Sequence, residues 1–346
     1  MTLKLRQIHS ACLLFLVCIV TALTARADDY QLGQGWHAGD YYFSGYTNVT
    51  LNDGFGTSTN LNLDDLSLLI NGHVNRWLNP FVETEFASQT LIQQGGNAPH
   101  GYLIMERLYN DFSVTEQDAI RFGKTLTQFG DWNTVHAAPL VPTDNRPLTT
   151  LGFHGYVAGL TWLHNPDDGT AHDWQLYWQP GEEWITQPVV IKTREFRNVS
   201  GGHINKPLGL IDKVGASFQH GELETTGETY DFYGVNANLS FGKLKLMGEA
   251  VTSVWSGGFI TPAHDHEGGL FGLADYSITK NLHGIVEWEE YQDHTVAQPS
   301  INSLLAINYK PRSFMSWKLQ YLHQTGTPSP LSPILTGWTT TFSTMF

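Results

Sequence analysis

Apolar and polar side chains alternate in segments of about ten residues through most of this chain. In the segment MSWKLQY (315–321), Met, Trp, Leu and Tyr take the odd positions, while Ser, Lys and Gln take the even ones. Successive side chains of a β-strand point to opposite faces, so each such segment predicts a strand with one apolar and one polar face. Helical periodicity is hard to find after residue 27. The sequence therefore predicts an all-β fold.

The first 27 residues have the form of a secretory signal peptide. Two basic residues precede an apolar run at about 11–23, and the letters ARA at 25–27 have the small-x-small form of a cleavage site. The only cysteines of the chain, Cys12 and Cys18, lie in this segment. We therefore expect cleavage near Ala27 and a mature chain without a disulfide, a cysteine zinc site or a cysteine nucleophile.

The charge balance of the chain is acidic. Thirty-three Asp and Glu residues against nineteen Lys and Arg give a formal net charge of −14, and loss of the signal peptide, which has three basic and no acidic residues, takes it to −17. Such a chain is a poor partner for nucleic acid. No later segment reaches 18 consecutive apolar residues, so no transmembrane helix is expected in the mature chain.

The alternating segments fit a transmembrane barrel better than a soluble β-fold. Soluble strands are usually about five or six residues long, whereas tilted membrane strands have about ten. The polar faces also include many charges that a dry core would not tolerate. An even strand number with both chain ends on one side is typical of a single-chain barrel. We draw sixteen strands, at 41–51, 61–75, 81–91, 102–114, 119–126, 151–163, 172–180, 185–196, 210–220, 229–241, 244–255, 267–278, 282–293, 300–310, 314–324 and 335–346.

The predicted architecture is an antiparallel transmembrane β-barrel of about sixteen strands over 41–346, after an N-terminal segment at 28–40. Fourteen strands is the second choice within a range of fourteen to eighteen, because the stretch between Pro180 and Leu210 could hold only a loop. Short turns alternate with longer Gly- and Pro-rich loops, which predicts periplasmic turns and external loops. A loop as long as the one at 127–150 is usually functional or disordered.

The stretch IRFGKTLTQFGDWNTVHAAPLVPTDNRP (120–147) resembles a segment of bacterial outer-membrane porins, especially of the phosphate-selective group. In that group a strand ending Arg-Phe-Gly-Lys, here 121–124, runs into a loop with Phe-Gly, Trp and Ala-x-Pro-Leu elements, here within 129–140. The segment ERLYNDF (106–112) is similar to the preceding strand. The resemblance implies a trimeric porin of sixteen strands whose long loop folds inward and narrows the pore.

The loop at 127–150 is therefore the predicted constriction loop. We expect its charged residues to face charges on the neighbouring strands and to form a ring around the permeating solute. The predicted constriction residues are Glu83, Glu85, Glu106, Arg107, Arg121, Asp131, His136, Asp144 and Arg146. Further lumen charges are predicted at Asp65, Lys245, Glu249, Glu287, Glu289 and Lys318.

Acidic residues outnumber basic ones on these predicted inward faces, and rings of carboxylates favour cations. The phosphate-selective relatives depend instead on Arg and Lys ladders. We therefore predict a channel for passive diffusion of small ions and hydrophilic solutes, either general or cation-preferring. The alternative that stays open is that most of the excess acid lies in external loops, where it binds divalent ions and lipopolysaccharide and does not set selectivity.

The last strand places Trp338, Phe342 and Phe346 on one face, which we expect to lie against lipid. These three residues are also the predicted signal for the barrel-assembly machinery. The expected location is the outer membrane of a Gram-negative bacterium. The expected partners are its lipid and lipopolysaccharide, the assembly machinery and two further copies of the chain.

No catalytic signature is found: the sequence has no Gly-x-Ser-x-Gly elbow, no His-Glu-x-x-His pair and no P-loop. We predict neither an enzyme nor a cofactor. His264 and His266, in the stretch PAHDHEG, are weak candidates for a metal site. The alternative functions are a barrel scaffold for a periplasmic or extracellular partner, such as an electron-transfer sheath, and an outer-membrane hydrolase.

Overall fold

The computed structural model describes residues 30–54, 59–93, 100–135, 137–166, 171–185, 194–209, 211–257, 266–331 and 336–346. The predicted signal peptide lies outside these residues. The strands are β1 (Tyr30–Gln31), β2 (Gly35–Ala38), β3 (Tyr41–Gly54), β4 (Asn60–Gly72), β5 (Pro80–Gln93), β6 (Tyr102–Ser113), β7 (Asp118–Leu126), β8 (Tyr156–His164), β9 (Asp173–Gln179), β10 (Phe196–Pro207), β11 (Lys213–Leu223), β12 (Glu228–Phe241), β13 (Leu244–Gly257), β14 (His266–Ser277), β15 (Leu282–Gln292), β16 (Ser300–Arg312), β17 (Met315–Gly326) and β18 (Gly337–Met345).

Strands β3 to β18 form a closed antiparallel barrel of sixteen strands, which confirms the predicted fold. Each strand pairs with the next along the chain, and β18 pairs with β3. The short strand β2 pairs with the first residues of β3, beyond the end of β18. Tight turns join the strands at one end, here called the turn end, and longer connections join most of them at the other, here called the loop end.

The two faces of the strands divide as the alternation predicts. On β17 Trp317 and Leu319 are 50% and 44% exposed on the outer face, whereas Lys318 and Gln320 are buried on the inner face. Exposed apolar side chains cover the outer face of the barrel, and several are Trp or Tyr. A lipid-facing barrel wall has this composition. The described residues include no helix long and apolar enough to cross a membrane.

Two predicted strands differ from the structure. Most of the strand predicted at 185–196 lies outside the described residues, and the eighth strand of the barrel is β10 at Phe196–Pro207. Its centre contains Gly201 and Gly202, which have no side chain, so the alternation is invisible there. The strand predicted at 151–163 begins only at Tyr156. A single 3-10 turn at Leu148–Leu151 and the residues after it belong to the preceding connection.

The chain end closes the barrel at a glycine. Phe346 and Gly45 exchange two backbone hydrogen bonds of 2.9 Å, and the Phe346 ring fills the space beside Gly45. A Cβ at position 45 would collide with the carbonyl oxygen of Ser67 and would lie 2.7 Å from the Phe346 ring. Closure therefore depends on the absence of a side chain at this position.

We predict that Gly45→Ala lowers the stability of the barrel by about 1–3 kcal/mol, because the added methyl group overpacks the closing seam. The free energy of unfolding in urea, measured in lipid vesicles, gives the difference. Gly272→Ala is the matched control, because a Cβ there meets nothing within 4 Å. Equal stability of the two variants would contradict this account of closure.

Candidate pore constriction

The connection between β7 and β8, residues 127–155, lies inside the barrel and is called the inner loop here. Asn133 closes its base by donating hydrogen bonds of 2.7 Å to the Thr127 carbonyl and 2.9 Å to the Gly155 carbonyl. Phe129 and Phe153 stack at 4.4 Å and join a buried apolar cluster with inward side chains of β12 and β13. The inward-folding constriction loop predicted from the sequence is confirmed, with its end at 155 instead of 150.

Glu249, on the inner face of β13, is the central anchor of the inner loop. Its Oε1 accepts hydrogen bonds from the backbone N–H groups of Asp131 at 2.7 Å and Trp132 at 3.2 Å. Its Oε2 accepts one from the Thr149 hydroxyl at 3.1 Å. A Cβ at Gly130, whose φ is +65°, would collide with the same carboxylate. Only glycine lets the backbone wrap this closely around Glu249.

Three further inward side chains bind the far part of the inner loop. Glu289 accepts a hydrogen bond of 2.6 Å from the Leu148 N–H, and Glu287 accepts one of 3.2 Å from the Thr143 hydroxyl. The ammonium group of Lys318 donates to the carbonyls of Ala138 and Thr143 at 2.8 and 3.1 Å. These contacts pair backbone groups that would otherwise be buried without partners.

The four predicted lumen charges Glu249, Glu287, Glu289 and Lys318 thus lie behind the inner loop and hold it. Each is no more than 6% exposed. Lys245, by contrast, lies half-buried near the turn end of β13. That these charges contribute to ion selectivity stays a prediction.

Five carboxylates lie on the inner face of β4, β5 and β6, and we call them the acidic wall. They are Asp64, Asp65, Glu83, Glu85 and Glu106. A bulge opposite Asn48 and Val49 brings Asp64 to the same face as its neighbour Asp65. A second bulge, where β5 meets β6, brings Glu106 and Arg107 to the inner face together.

Hydroxyl groups and one arginine bind the acidic wall. Glu83 accepts a hydrogen bond of 3.2 Å from Tyr46 and forms an ion pair with Arg107. The Ser67 hydroxyl donates to Glu85 at 3.2 Å. Glu106 accepts a hydrogen bond from Tyr156, the first residue after the inner loop. The wall therefore holds five acidic groups, and Arg107 forms an ion pair with one of them, Glu83.

Two other basic residues near this side, Arg121 and Lys124, also have carboxylate partners. Arg121 binds Asp111 through two hydrogen bonds of 2.8 and 2.9 Å, and its guanidinium stacks 3.7 Å from the Tyr109 ring centre. Lys124 lies 2.7 Å from Glu183. The predicted constriction residues Arg107 and Arg121 are therefore present on the inner face but neutralised by neighbours.

The charged residues of the inner loop have separate surroundings. Asp131 forms an ion pair of 2.7 Å with Lys213. The backbone N–H of Asp144 donates to Gln320 at 3.0 Å, and its carboxylate repels that of Asp64 across the interior. The charge of Arg146 acts on Tyr156, beside the acidic wall. His136 lies outside the described residues.

His154, at the end of the inner loop, is buried beside Lys124 and Glu183. Burial, together with the positive charge of Lys124, lowers the pKa of His154 to about 4. The imidazole is therefore neutral at pH 7, and its 3.8 Å distance from Glu183 is not an ion pair under these conditions. His154 contributes packing and hydrogen bonds but no charge to this part of the barrel.

A buried ionic cluster lies near the loop end, where Glu267, Asp293 and His294 bring ligand atoms within 4.8 Å of one another. Arg194 occupies this cluster, with its guanidinium nitrogens 2.7 Å from Glu267 and 3.3 Å from Asp293. Burial alone would raise the pKa of Asp293, but Arg194 and nearby hydrogen bonds outweigh it and hold the pKa below its usual value. An arginine thus supplies the cation that these carboxylates require.

His266, one of the two histidines predicted as a weak metal site, is not among the residues whose ligand atoms meet in this cluster. His264 lies outside the described residues, and His266 is exposed at the start of β14. At the chain end, Trp338 is half exposed on the outer face, and Phe342 stacks on Trp317 at 4.4 Å. Their role in assembly stays a prediction.

Sequence reasoning missed several members of the site. Asp64 was assigned to no face, although two consecutive acids in LNLDDLSLL interrupt the alternation and are a signal of a bulge. Tyr46 and Tyr156 have no such signal, because their contacts with Glu83 and Glu106 join residues that are far apart along the chain.

We predict that Glu249→Ala releases the inner loop, because three buried donors lose their acceptor at a cost of about 1–3 kcal/mol each. Limited proteolysis should cut the loop at least about tenfold faster than in the unchanged chain, and single-channel current noise should rise. Glu249→Gln keeps one acceptor oxygen, so its cleavage rate should lie between those of the Ala variant and the unchanged chain. An Ala variant with unchanged cleavage would exclude Glu249 as the anchor.

Comparison with known proteins identifies relatives of the fold. No family model matches the sequence, and no curated protein is significantly similar to it. The trimer form of OmpT, an outer membrane protein of Vibrio cholerae, superposes with a TM-score of 0.59 at 12% identity, over 90% of this chain and 100% of that chain. The Salmonella typhi OmpF complex with daunomycin gives 0.60 at 12% identity, over 89% and 96%.

The anion-selective porin from Comamonas acidovorans gives a TM-score of 0.57 at 12% identity, over 88% of this chain and 98% of that chain. The likenesses span nearly the whole barrel in each case. At this low identity they establish the fold alone: this chain has the sixteen-stranded barrel fold found in bacterial outer-membrane porins.

Proposed function

We propose that this chain forms a water-filled channel in the outer membrane of a Gram-negative bacterium, through which small ions and hydrophilic solutes diffuse with a preference for cations. The fold shared with porins supports the channel. The apolar outer face supports the membrane location. Residues 1–27 are proposed as the signal peptide that directs export, and residues 41–346 as the membrane domain.

The acidic wall is the observation that carries the cation preference. Five carboxylates share one side of the interior, and Arg107 forms an ion pair with one of them, Glu83. Fixed carboxylates in a narrow, low-dielectric passage attract cations and repel anions. The charge of Asp144, on the inner loop, adds to the same field.

The distribution of basic residues speaks against phosphate selectivity. A phosphate-binding ladder needs Arg or Lys groups whose charge is available to the anion. Here Arg121, Lys124 and Lys213 each lie within 2.8 Å of a carboxylate oxygen, and Lys318 donates to loop carbonyls. We therefore propose a cation-preferring or general channel within the porin fold.

The filled interior of the barrel also argues against the alternative function as a scaffold. The inner loop and the buried cluster of Phe129, Phe153, Phe232 and Trp255 fill much of the barrel on the side of β8 to β15. A sheath around a protein partner would need that space. Passive diffusion past the remaining wall requires no catalytic group, and we propose no enzymatic activity.

We further propose that three copies assemble through the outer face of β4 and β5. These strands contain no Trp or Tyr, and their outward residues include Leu61, Leu63, Leu66, Leu68, Ile70, Val82, Thr84, Phe86 and Ile92. Elsewhere Trp162, Trp178, Trp288, Trp317 and Trp338 are each about half exposed on the outer face.

Aromatic residues of this kind favour the boundary between membrane and water. An aliphatic sector without them suits contact with protein instead of lipid. The trimer form of the related Vibrio cholerae OmpT fold supports three copies.

The selectivity test removes charge from the acidic wall. In a variant with Asp64→Asn, Asp65→Asn and Glu85→Gln, the cation-to-anion permeability ratio should fall by at least about twofold, because the attractive field is weakened. The reversal potential across a bilayer with a KCl gradient measures the ratio. Glu290→Gln, on the outer face of β15, is the control and should leave it unchanged. An unchanged ratio in the triple variant would refute the wall as the selectivity element.

The assembly test uses single cysteines, since the described residues contain none. Leu66→Cys and Leu68→Cys should react with a membrane-soluble maleimide at least about tenfold more slowly than Leu305→Cys and Ile307→Cys, because a protein interface excludes the lipid phase. Labelling rates in outer-membrane vesicles, compared with rates after dissociation in detergent, give the measurement. Equal rates at all four sites would place the interface elsewhere or exclude it.

A further inference from the structure

The inner wall where β17, β18, β3 and β4 meet is free of charged side chains toward the loop end. Strand β18 contains no charged residue at all, and the inward residues of β3 above Tyr46 are Asn48, Thr50 and Asn52. The partly exposed inward residues nearest the loop end are amides and one hydroxyl. We call the following five the amide tract: Asn52, Asn60, Asn62, Gln324 and Thr339.

Hydrogen bonds between neighbours orient most of the amide tract. The Thr339 hydroxyl donates to the Asn52 oxygen at 3.2 Å, and the Asn52 amide donates to the Asn60 oxygen at 3.3 Å. Asn62 donates to the same Asn60 oxygen at 3.1 Å. These bonds link three adjacent strands and fix which end of each amide is directed to its neighbours. The tract is therefore a preset row of donors and acceptors.

The tract retains unused hydrogen-bonding capacity. The Asn62 amide uses one of its two N–H groups on Asn60, which leaves the other N–H group for another partner. Asn60 accepts two bonds through its oxygen, which leaves the two N–H groups of its amide for other partners. Gln324 donates one bond of 3.0 Å to Ser300 and has further donor and acceptor capacity.

The chemistry of the tract matches a neutral hydroxylated solute. A sugar hydroxyl both donates and accepts hydrogen bonds, as does a side-chain amide. An uncharged wall offers an ion no stronger interaction than water does. A row of oriented amides, by contrast, can replace several of the hydrogen bonds that a polyol makes with water. Toward the loop end of the opposite wall, inward aromatic residues such as Tyr230 and Phe232 are buried in a packed apolar cluster.

We propose that the amide tract is a binding track for neutral, polyhydroxylated solutes of the sugar class on their way to the acidic wall. This rests on the proposed channel function and adds a second class of permeant to it. Asn52, Asn60 and Asn62 supply the contacts, and Thr339 and Gln324 flank them. The acidic wall, farther toward the turn end, then acts on ions and leaves uncharged solutes unaffected.

The test measures block of KCl current through the purified full-length mature chain in a planar bilayer. Sucrose should lower the current with a saturable concentration dependence. Poly(ethylene glycol) of equal hydrodynamic radius, which has ether oxygens but almost no hydroxyls, should act only through viscosity. In a variant with Asn52→Leu, Asn60→Leu and Asn62→Leu, the half-saturating sucrose concentration should rise at least about tenfold, with KCl conductance changed less than about twofold. Asn238→Leu, on the inner face of β12, is the matched control.

Further variants and a binding measurement keep the two proposals separable. If the triple variant does not fold, Asn60→Ala and Asn62→Ala should each weaken the block by at least about threefold. If the unchanged chain conducts no current, the channel proposal fails, and calorimetric titration of the detergent-solubilised protein with sucrose still tests the track. Two results would overturn the track and leave the channel proposal intact. One is equal block of the current by sucrose and by the polymer. The other is equal block by sucrose in the triple variant and in the Asn238→Leu control.

Discussion

A single buried carboxylate, that of Glu249, holds a 29-residue connection inside the barrel, and the shape of the interior depends on it. A loop that enters a barrel removes its backbone N–H groups from water, and each must find an acceptor. Glu249 meets two such groups and one hydroxyl, and Gly130 gives the backbone room to reach it. Farther along the loop, Glu287 and Glu289 accept hydrogen bonds from it, and Lys318 donates hydrogen bonds to its carbonyls.

Polar residues on the inner face therefore fall into two populations. One population is covered by the inner loop and serves as its partners, and the other faces the space that the loop leaves open. The acidic wall and the amide tract belong to the second. Net charge alone would overestimate the field in the passage, because the inner loop covers Glu249, Glu287 and Glu289, each of which accepts at least one hydrogen bond from it.

Alternation could predict the strands and the face of nearly every residue, since those follow from backbone geometry with a period of two. It failed where side chains carry no signal, as at Gly201 and Gly202 of β10, and where bulges shift the period, as at Asp64. It also could not separate the two populations. On β12 Phe232 points inward and Tyr233 outward, so aromatic residues occupy both faces. Whether an inward residue meets the loop or the lumen depends on contacts across the whole barrel.

The open side of the interior presents two chemistries in sequence from the loop end to the turn end. Uncharged amides come first, and carboxylates follow on the adjacent strands β4 to β6. A neutral solute meets no net electrostatic force at the amide tract or at the acidic wall. The carboxylates of the acidic wall attract a cation and repel an anion. An uncharged approach keeps the first contact independent of ionic strength, while the carboxylate stage is screened by salt. In the channel that we propose, separation of the two along one wall would let a single passage select among ions without excluding polyols.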